Sequence, residues 1–328
     1  MAPIRPVLIA GLAVASVAYA VAGLVNSYWV FVAMYGLAGL GNTVFHPADY
    51  SLLSLHAPKQ KVGQVFAFHS FAGIVGSAIA PPTLLYMQHA FGWRGAFVGA
   101  AIIGFMVLAV LIAQPEPPPE QPAAKTPAKS RSDGAGSWSI LLTAPILLNL
   151  AYFVLTSIMG GGLNTYLVVA LGALHATPVG VANMALTSLL AFNALGVLAG
   201  GFVAGRTTRH ALVAAAGLAV GGVVTALVGL FNLPATGLIA LMGFSGFCVG
   251  ATYPSRDMLV RAATPAGAYG LVFGFVSVGF NIGASIAPIV YGYLMDSGQP
   301  RAVFLLSAAV SILCISTVTF GFSKRQPA

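Results

Sequence analysis

Charge is what this sequence has least of: 6% of its 328 residues are charged, and six acids face fourteen lysines and arginines. A soluble domain carries roughly a quarter charged residues, so a soluble globular fold is excluded. Cysteine is almost absent as well. Cys248 and Cys314 both lie inside apolar runs, which excludes a disulfide framework and a cysteine-based metal site. No His/Cys zinc spacing and no glycine-rich phosphate loop opening a polar helix occurs, so neither metal nor cofactor is predicted. The net charge of +8 would suggest nucleic acid in a soluble protein. Here the basic residues cluster between apolar runs, where they orient a membrane chain, and no nucleic-acid partner is predicted.

What is present is apolar surface, glycine and proline. Apolar residues make up 58% of the chain, mean hydropathy is +0.92, and there are 39 Gly and 20 Pro. Spanning helices use glycine for close backbone approach and tolerate proline where neighbours re-satisfy the freed carbonyls. Apolar runs of about 20 residues or more predict ten spans at 6–25, 28–55, 61–89, 92–113, 142–172, 177–204, 211–231, 235–262, 267–296 and 301–322. The expected fold is all-α and integral to the membrane. The long break 114–137 carries six prolines and mixed charge and cannot pack a core. It separates a four-helix part, 1–114, and a six-helix part, 138–328, by a Pro-rich linker, 115–137.

Counting Lys and Arg in alternate loops gives twelve against two, the two being Arg94 and Arg301. Cytoplasmic loops hold the basic excess, so both termini and the linker are expected in the cytoplasm. Arg5, the apolar run from Val7 and Ala18-Tyr19-Ala20 also imitate a secretory signal peptide. Cleavage there would leave nine spans and put the termini on opposite faces, which the loop charges oppose.

Residues 207 positions apart match without a gap, among them Gly36/Gly243, Gly39/Gly246, Pro47/Pro254, Gly76/Gly283, Pro81/Pro288, Arg94/Arg301 and Phe97/Phe304. Spans 2–4 therefore repeat as spans 8–10 in the same orientation, a parallel repeat of the kind transporters with two six-helix halves show. Spans 5 and 6 have no partner at this offset. The expected fold is thus two parallel-repeat halves of a twelve-helix arrangement whose first two helices are missing.

Gly39-Leu40-Gly41-Asn42-Thr43-Val44-Phe45-His46-Pro47, Gly73-Ile74-Val75-Gly76-Ser77-Ala78-Ile79-Ala80-Pro81 and Phe273-Gly274-Phe275-Val276-Ser277 with Gly283 to Pro288 carry a resemblance. The chain resembles the major facilitator superfamily, and within it the fosmidomycin-resistance-like efflux branch. The resemblance implies a secondary transporter in the inner or plasma membrane, exporting a small molecule by proton-coupled alternating access. An uptake carrier for a small organic anion and a non-transporting truncated protein are the alternatives. The implied partners are a small-molecule substrate, protons and the lipid bilayer. The superfamily's cytoplasmic loop signature is met by Gly201, Arg206 and Arg209, but Gly205 stands where an Asp is expected.

Polar groups inside spans are costly, so each is a candidate. Tyr35, Asn42, His46 and Asp49 fall at helical spacing on one face of span 2. His46 and Asp49 read either as proton carriers or as groups satisfying solvent and the carbonyls that Pro47 frees. Tyr253, Arg256 and Asp257 follow the equivalent kink at Pro254. Arg256 reads as an anion holder, or Arg256 and Asp257 as a gate or structural pair with Arg206 or Arg209. His69 reads as a core histidine bound to a carbonyl or as a proton carrier. Asn149, Tyr152 and Thr156 form a polar stripe on span 5, for interhelical bonding or substrate contact. Asn164, beside Gly160-Gly161-Gly162, is expected at a helix break. Pro47, Pro81, Pro254 and Pro288 are the expected kinks. Gly243-Phe244-Ser245-Gly246 is similar to the motif of rhomboid proteases, whose serine needs a base from a later helix. The last histidine here is His210, upstream of Ser245, so no enzyme is predicted.

Overall fold

The computed structural model describes residues 4–58, 61–114, 139–265 and 267–322. The Pro-rich linker 115–137 lies outside them. The described residues fold into helices α1 Ile4–Leu24, α2 Tyr28–Asn42, α3 Phe45–His56, α4 Val62–Ala113, α5 Ala144–His175, α6 Val179–Ala204, α7 His210–Leu230, α8 Ala235–Gly250, α9 Tyr253–Ala263, α10 Tyr269–Asp296 and α11 Pro300–Phe322. Ten segments are long and apolar enough to cross a bilayer, from Ile4–Leu24 to Pro300–Thr319. Helix is the only open-ended structure that satisfies every backbone polar group within one span.

Two spans are built from broken helices, and proline places the breaks. A proline ring clashes with the carbonyl four residues back and donates no hydrogen bond to it. For Pro47 that residue is Thr43, and for Pro254 it is Gly250. The chain leaves α2 and re-enters as α3 at Thr43–Val44, and leaves α8 for α9 at Ala251–Thr252. Threonine hydroxyls take up carbonyls at both breaks: Thr43 donates to Leu40 O and Thr252 to Val249 O, each at 2.7 Å. The break separates Tyr35 and Asn42 on α2 from His46 and Asp49 on α3. Pro288 stays inside an unbroken α10, where Tyr166 donates to its carbonyl at 3.0 Å. Pro81 falls within α4, whose reversal is instead at Gly92 with φ 72°, a backbone state that favours glycine.

The chain divides into two compact units, Met1–Leu52 with Gly76–Ser139, and Leu53–Val75 with Ile140–Ala328. In the second unit α6 lies along α8, α5 against α10 and α11, and α7 against α11. The α6–α8 seam is made of glycines from both sides. Gly196 and Gly200 face the carbonyls of Phe247 and Ala251, while Gly246 and Gly250 face those of Leu189 and Asn193. Small residues at four-residue spacing let the backbones touch, which is how helices associate where lipid is as apolar as leucine. Leu167, Met242, Tyr291 and Phe304 are fully buried in the core beside this seam.

The parallel repeat is present in the packing of each unit. In the first, Gly11 meets Gly41, Gly23 meets Phe97, and Ser16 meets Gly104. In the second, Gly217 meets Cys248, Gly229 meets Phe304, and Gly222 meets Ser311. Each second contact is the repeat mate of the first, at an offset of 206 on α1/α7 and 207 elsewhere. Two mates touch within the second unit: the Phe66 and Phe273 rings lie 6.0 Å apart, and Arg261 Nη2 donates to Ser54 O at 3.4 Å. The mates of the α5- and α6-facing glycines are bare. A Cβ on Gly36, Gly39 or Gly76 would meet nothing within 4 Å, whereas on Gly243, Gly246 or Gly283 it would strike α6 or α5.

Candidate functional site

The second unit buries an ion pair directly after the Pro254 break. Arg256 is 4% exposed and Asp257 fully buried; Arg256 Nη2 lies 2.8 Å from Asp257 Oδ1, and Nε donates to the same oxygen at 2.9 Å. Three rings surround the guanidinium, with Phe153, Tyr253 and Phe280 centred 4.4, 4.9 and 5.3 Å from its Cζ. Tyr253 shares the α9 face of Arg256 by its three-residue spacing. Phe153 and Phe280 come from α5 and α10 and pack on each other at 4.7 Å. A charge inside a membrane protein persists only when paired or stacked in this way. Arg206 and Arg209 are exposed, so the expected pairing of Arg256 and Asp257 with them gives way to a pair between the two neighbours. Sequence separation hid it, because residues one apart do not face each other on a helix; the long arginine side chain reaches around the turn.

Above the Tyr253 ring a small cleft opens between α5, α6, α7 and α8, with a volume of about 80 Å³. Its polar lining is Asn164, Asn193, Thr225, Ser245 and Tyr253. Thr225 and Ser245 both donate to Gly221 O, at 2.8 and 3.1 Å, and their oxygens lie 3.3 Å apart. Asn193 Nδ2 donates to Gly246 O at 3.3 Å, tying α6 to α8. A larger cleft of about 380 Å³ in the first unit is lined by Asn26, Tyr28, Phe31, Trp93 and Arg94. Arg94 stacks on Trp93 at 5.0 Å, the chemistry of an interfacial aromatic belt.

The remaining candidates are dispersed. Asn42 and His46 are exposed, Asp49 and His69 half-buried, and the His46 ring stacks on Tyr50 at 6.2 Å. Asn149 is buried but donates to Pro145 O at 2.8 Å, and Thr156 back-bonds to Tyr152 O at 2.9 Å. Two of the three groups of the span 5 stripe thus serve their own helix. Tyr152, 2% exposed, lies beside Thr252 and Arg256. Asn164 lines the cleft, but α5 runs unbroken through Gly160-Gly161-Gly162, correcting the expected break: Gly162 packs on the Tyr291 ring. Tyr152, Tyr253, Arg256 and Asp257 are thus brought together, with Asn164 at the adjoining cleft. Sequence reasoning missed Phe153 and Phe280, which are apolar residues in apolar spans and carry no signal of their own. Thr225 was missed as well, and Ser245 was read only for its likeness to the serine of the rhomboid motif.

Comparison with known proteins agrees with the fold. The sequence profile described as Major Facilitator Superfamily matches residues 3–211 and again 165–328. The probable L-galactonate transporter of Escherichia coli K12 is 26% identical over 88 residues, covering 27% of this chain and 19% of that protein. Multidrug resistance protein MdtG of Escherichia coli K12 is 34% identical over 109 residues, covering 32% and 26%. The match thus spans about a quarter or less of these relatives' lengths. The crystal structure of the Escherichia coli fucose:proton symporter FucP superposes with a TM-score of 0.72 at 16% identity, over 99% of this chain and 84% of that one. Ten apolar spans, a parallel repeat visible in both sequence and packing, and a profile match along nearly the whole length place this chain in the Major Facilitator Superfamily.

Proposed function

We propose that this chain is a secondary active carrier in the cell membrane, exporting a small amphipathic molecule by proton-coupled alternating access, and not an enzyme. The observation that carries the reading is the pair of equivalent helix breaks. At one, α9 presents the buried Arg256–Asp257 pair beneath a cleft; at its repeat mate, α3 carries His46 and Asp49. Unlike polar groups at matching positions of two parallel repeats are what a carrier needs if one half handles the coupling ion and the other the solute. The multidrug resistance for which MdtG is named supports export, and proton symport by FucP supports the coupling ion. The fosmidomycin-resistance-like branch belongs to this proposal, as do a 1–114 half, a cytoplasmic linker 115–137 and a 138–328 half. The ten spans then correspond to helices 3–12 of a twelve-helix arrangement, because α5 and α6 alone lack repeat mates.

The test is transport by the full chain in proteoliposomes with and without a pH gradient, with the fluorescent amphipath N-dansylethanolamine as solute. Asp49→Asn and His46→Gln are expected to abolish gradient-driven accumulation, at least tenfold, while leaving solute exchange, which moves no net proton, near the unmodified rate. Unchanged gradient-driven transport in both variants would make the pair structural. Topology is tested separately. A cysteine placed at Ala128 in a background lacking Cys248 and Cys314 should stay unlabelled by an impermeant thiol reagent in intact cells and label after permeabilisation.

A further inference from the structure

We propose that the cleft at Arg94 in the first unit seats the head group of an anionic phospholipid, with the phosphate on the guanidinium and head hydroxyls on Asn26 and Ser27. The inference is independent of the carrier reading. The α1–α2 turn supplies Asn26 and Ser27, the reversal at Gly92 supplies Trp93 and Arg94, and the opening between them is about 380 Å³. Ligand pockets usually run from roughly 300 to 1,000 Å³. Phe31 stands edge-on to Trp93 at 6.3 Å and to Phe97 at 5.3 Å, so the apolar wall is a cluster of rings. The polar groups on it are unspent. Arg94 is exposed and, among the described residues, lies over the Trp93 ring without a hydrogen bond or an ion pair. Ser27 caps α2 without a side-chain hydrogen bond, and the Asn26 amide is likewise unbonded among the described residues. Asp49, the one acid among the described residues of this unit, lies at the far end of span 2.

A guanidinium is all donor and no acceptor, and it grips a phosphate through two parallel hydrogen bonds. Asn26 and Ser27 can both donate and accept, which fits the hydroxyls of a glycerol head. A choline head fits less well. Its ammonium would seek a ring face, and the Trp93 face already carries the Arg94 guanidinium. Position selects a lipid over a water-borne anion. Gly23, at the end of α1, packs on the Arg94 carbonyl, which sets the cleft level with the ends of the spans Ile4–Leu24 and Tyr28–Ser54. Tyr28, Trp29 and Trp93 are 71, 76 and 48% exposed there, as amphipathic rings are where acyl chains meet head groups. The repeat mate Arg301 is exposed too, but Pro300 stands at the position of Trp93, so it serves as a control.

The test uses the full chain in phosphatidylcholine nanodiscs, with Trp29→Phe and Trp138→Phe leaving Trp93 as the sole tryptophan. Brominated-chain phosphatidylglycerol, a contact quencher of tryptophan fluorescence, is compared with brominated-chain phosphatidylcholine at the same minor fraction. Trp93 is expected to be quenched as though phosphatidylglycerol were enriched about fivefold at the cleft, the preference one basic residue gives an anionic lipid. Arg94→Gln should bring the two lipids level. Asn26→Leu should reduce the preference by less, about twofold, and Arg301→Gln should leave it intact. Equal quenching by the two lipids in the Trp93-only chain would overturn the inference, as would a preference that survives Arg94→Gln or is lost equally in Arg301→Gln. Displacement of the brominated lipid by millimolar glycerol phosphate or benzoate would assign the cleft to a water-borne anion and overturn it as well.

Discussion

Arg256→Met is expected to lower the stability of the folded chain by about 3–5 kcal/mol, the cost of removing one member of a buried ion pair. Asp257 is fully buried, and the substitution removes both contacts to its Oδ1 as well as the cation that the three rings surround. The double variant Arg256→Met, Asp257→Leu should recover most of the loss, because two apolar side chains of similar volume replace the pair without leaving a charge behind. Thermal unfolding in detergent can be followed, in a Cys248→Ala background, by a thiol-reactive dye at Cys314, which is 1% exposed and is expected to react on unfolding. A double variant no more stable than the single one would mean that the cost lies in packing against Phe153 and Phe280, not in the broken ion pair.

Gly246→Leu should prevent recovery of folded protein, whereas Gly39→Leu, its repeat mate, should be tolerated. A Cβ at Gly246 runs into the Leu189 carbonyl, and backbone cannot rotate aside as a side chain can. Overpacking typically costs about 1–3 kcal/mol where side chains can shift, and more is expected where two helix backbones must part along the whole α6–α8 seam. At Gly39 nothing lies within 4 Å, so the only local effect is the helix propensity gained, about 0.5–1 kcal/mol in favour of the larger residue. Yield and elution profile by size exclusion after identical expression would separate the two. Equal loss from both substitutions would show that Gly39 is covered by another helix in the membrane.

The spans were legible because a bilayer offers the backbone few alternatives: a run of 20 apolar residues must close its hydrogen bonds within itself. The repeat was legible because Gly and Pro act through the backbone, and backbone requirements survive when side chains drift. Pro47 and Pro254 could be recognised as equivalent for the same reason. The consequences of the breaks were less legible. Spacing placed Asn42 with His46 and Asp49 on one face, and the turn at Thr43–Val44 falls between them. The three glycines beside Asn164 looked like a break, yet Gly162 is small because Tyr291 packs against it.

Sequence alone determined the membrane class, the ten spans and the parallel repeat, since these follow from composition, period and backbone-bearing residues that act locally, while the family was marked by resemblance in the Gly/Pro-rich stretches. Only the tertiary structure decided which charge meets which. Asp257 could be assigned to Arg206, Arg209 or Arg256 on charge alone, and the choice of Arg256 depends on Phe153 and Phe280 arriving from two other helices to cover it. The cleft floor has the same origin. Ser245 on α8 reaches the Gly221 carbonyl only because α7 packs beside it. A hydroxyl's direction is a property of its neighbours in space, and the one-dimensional sequence does not carry it.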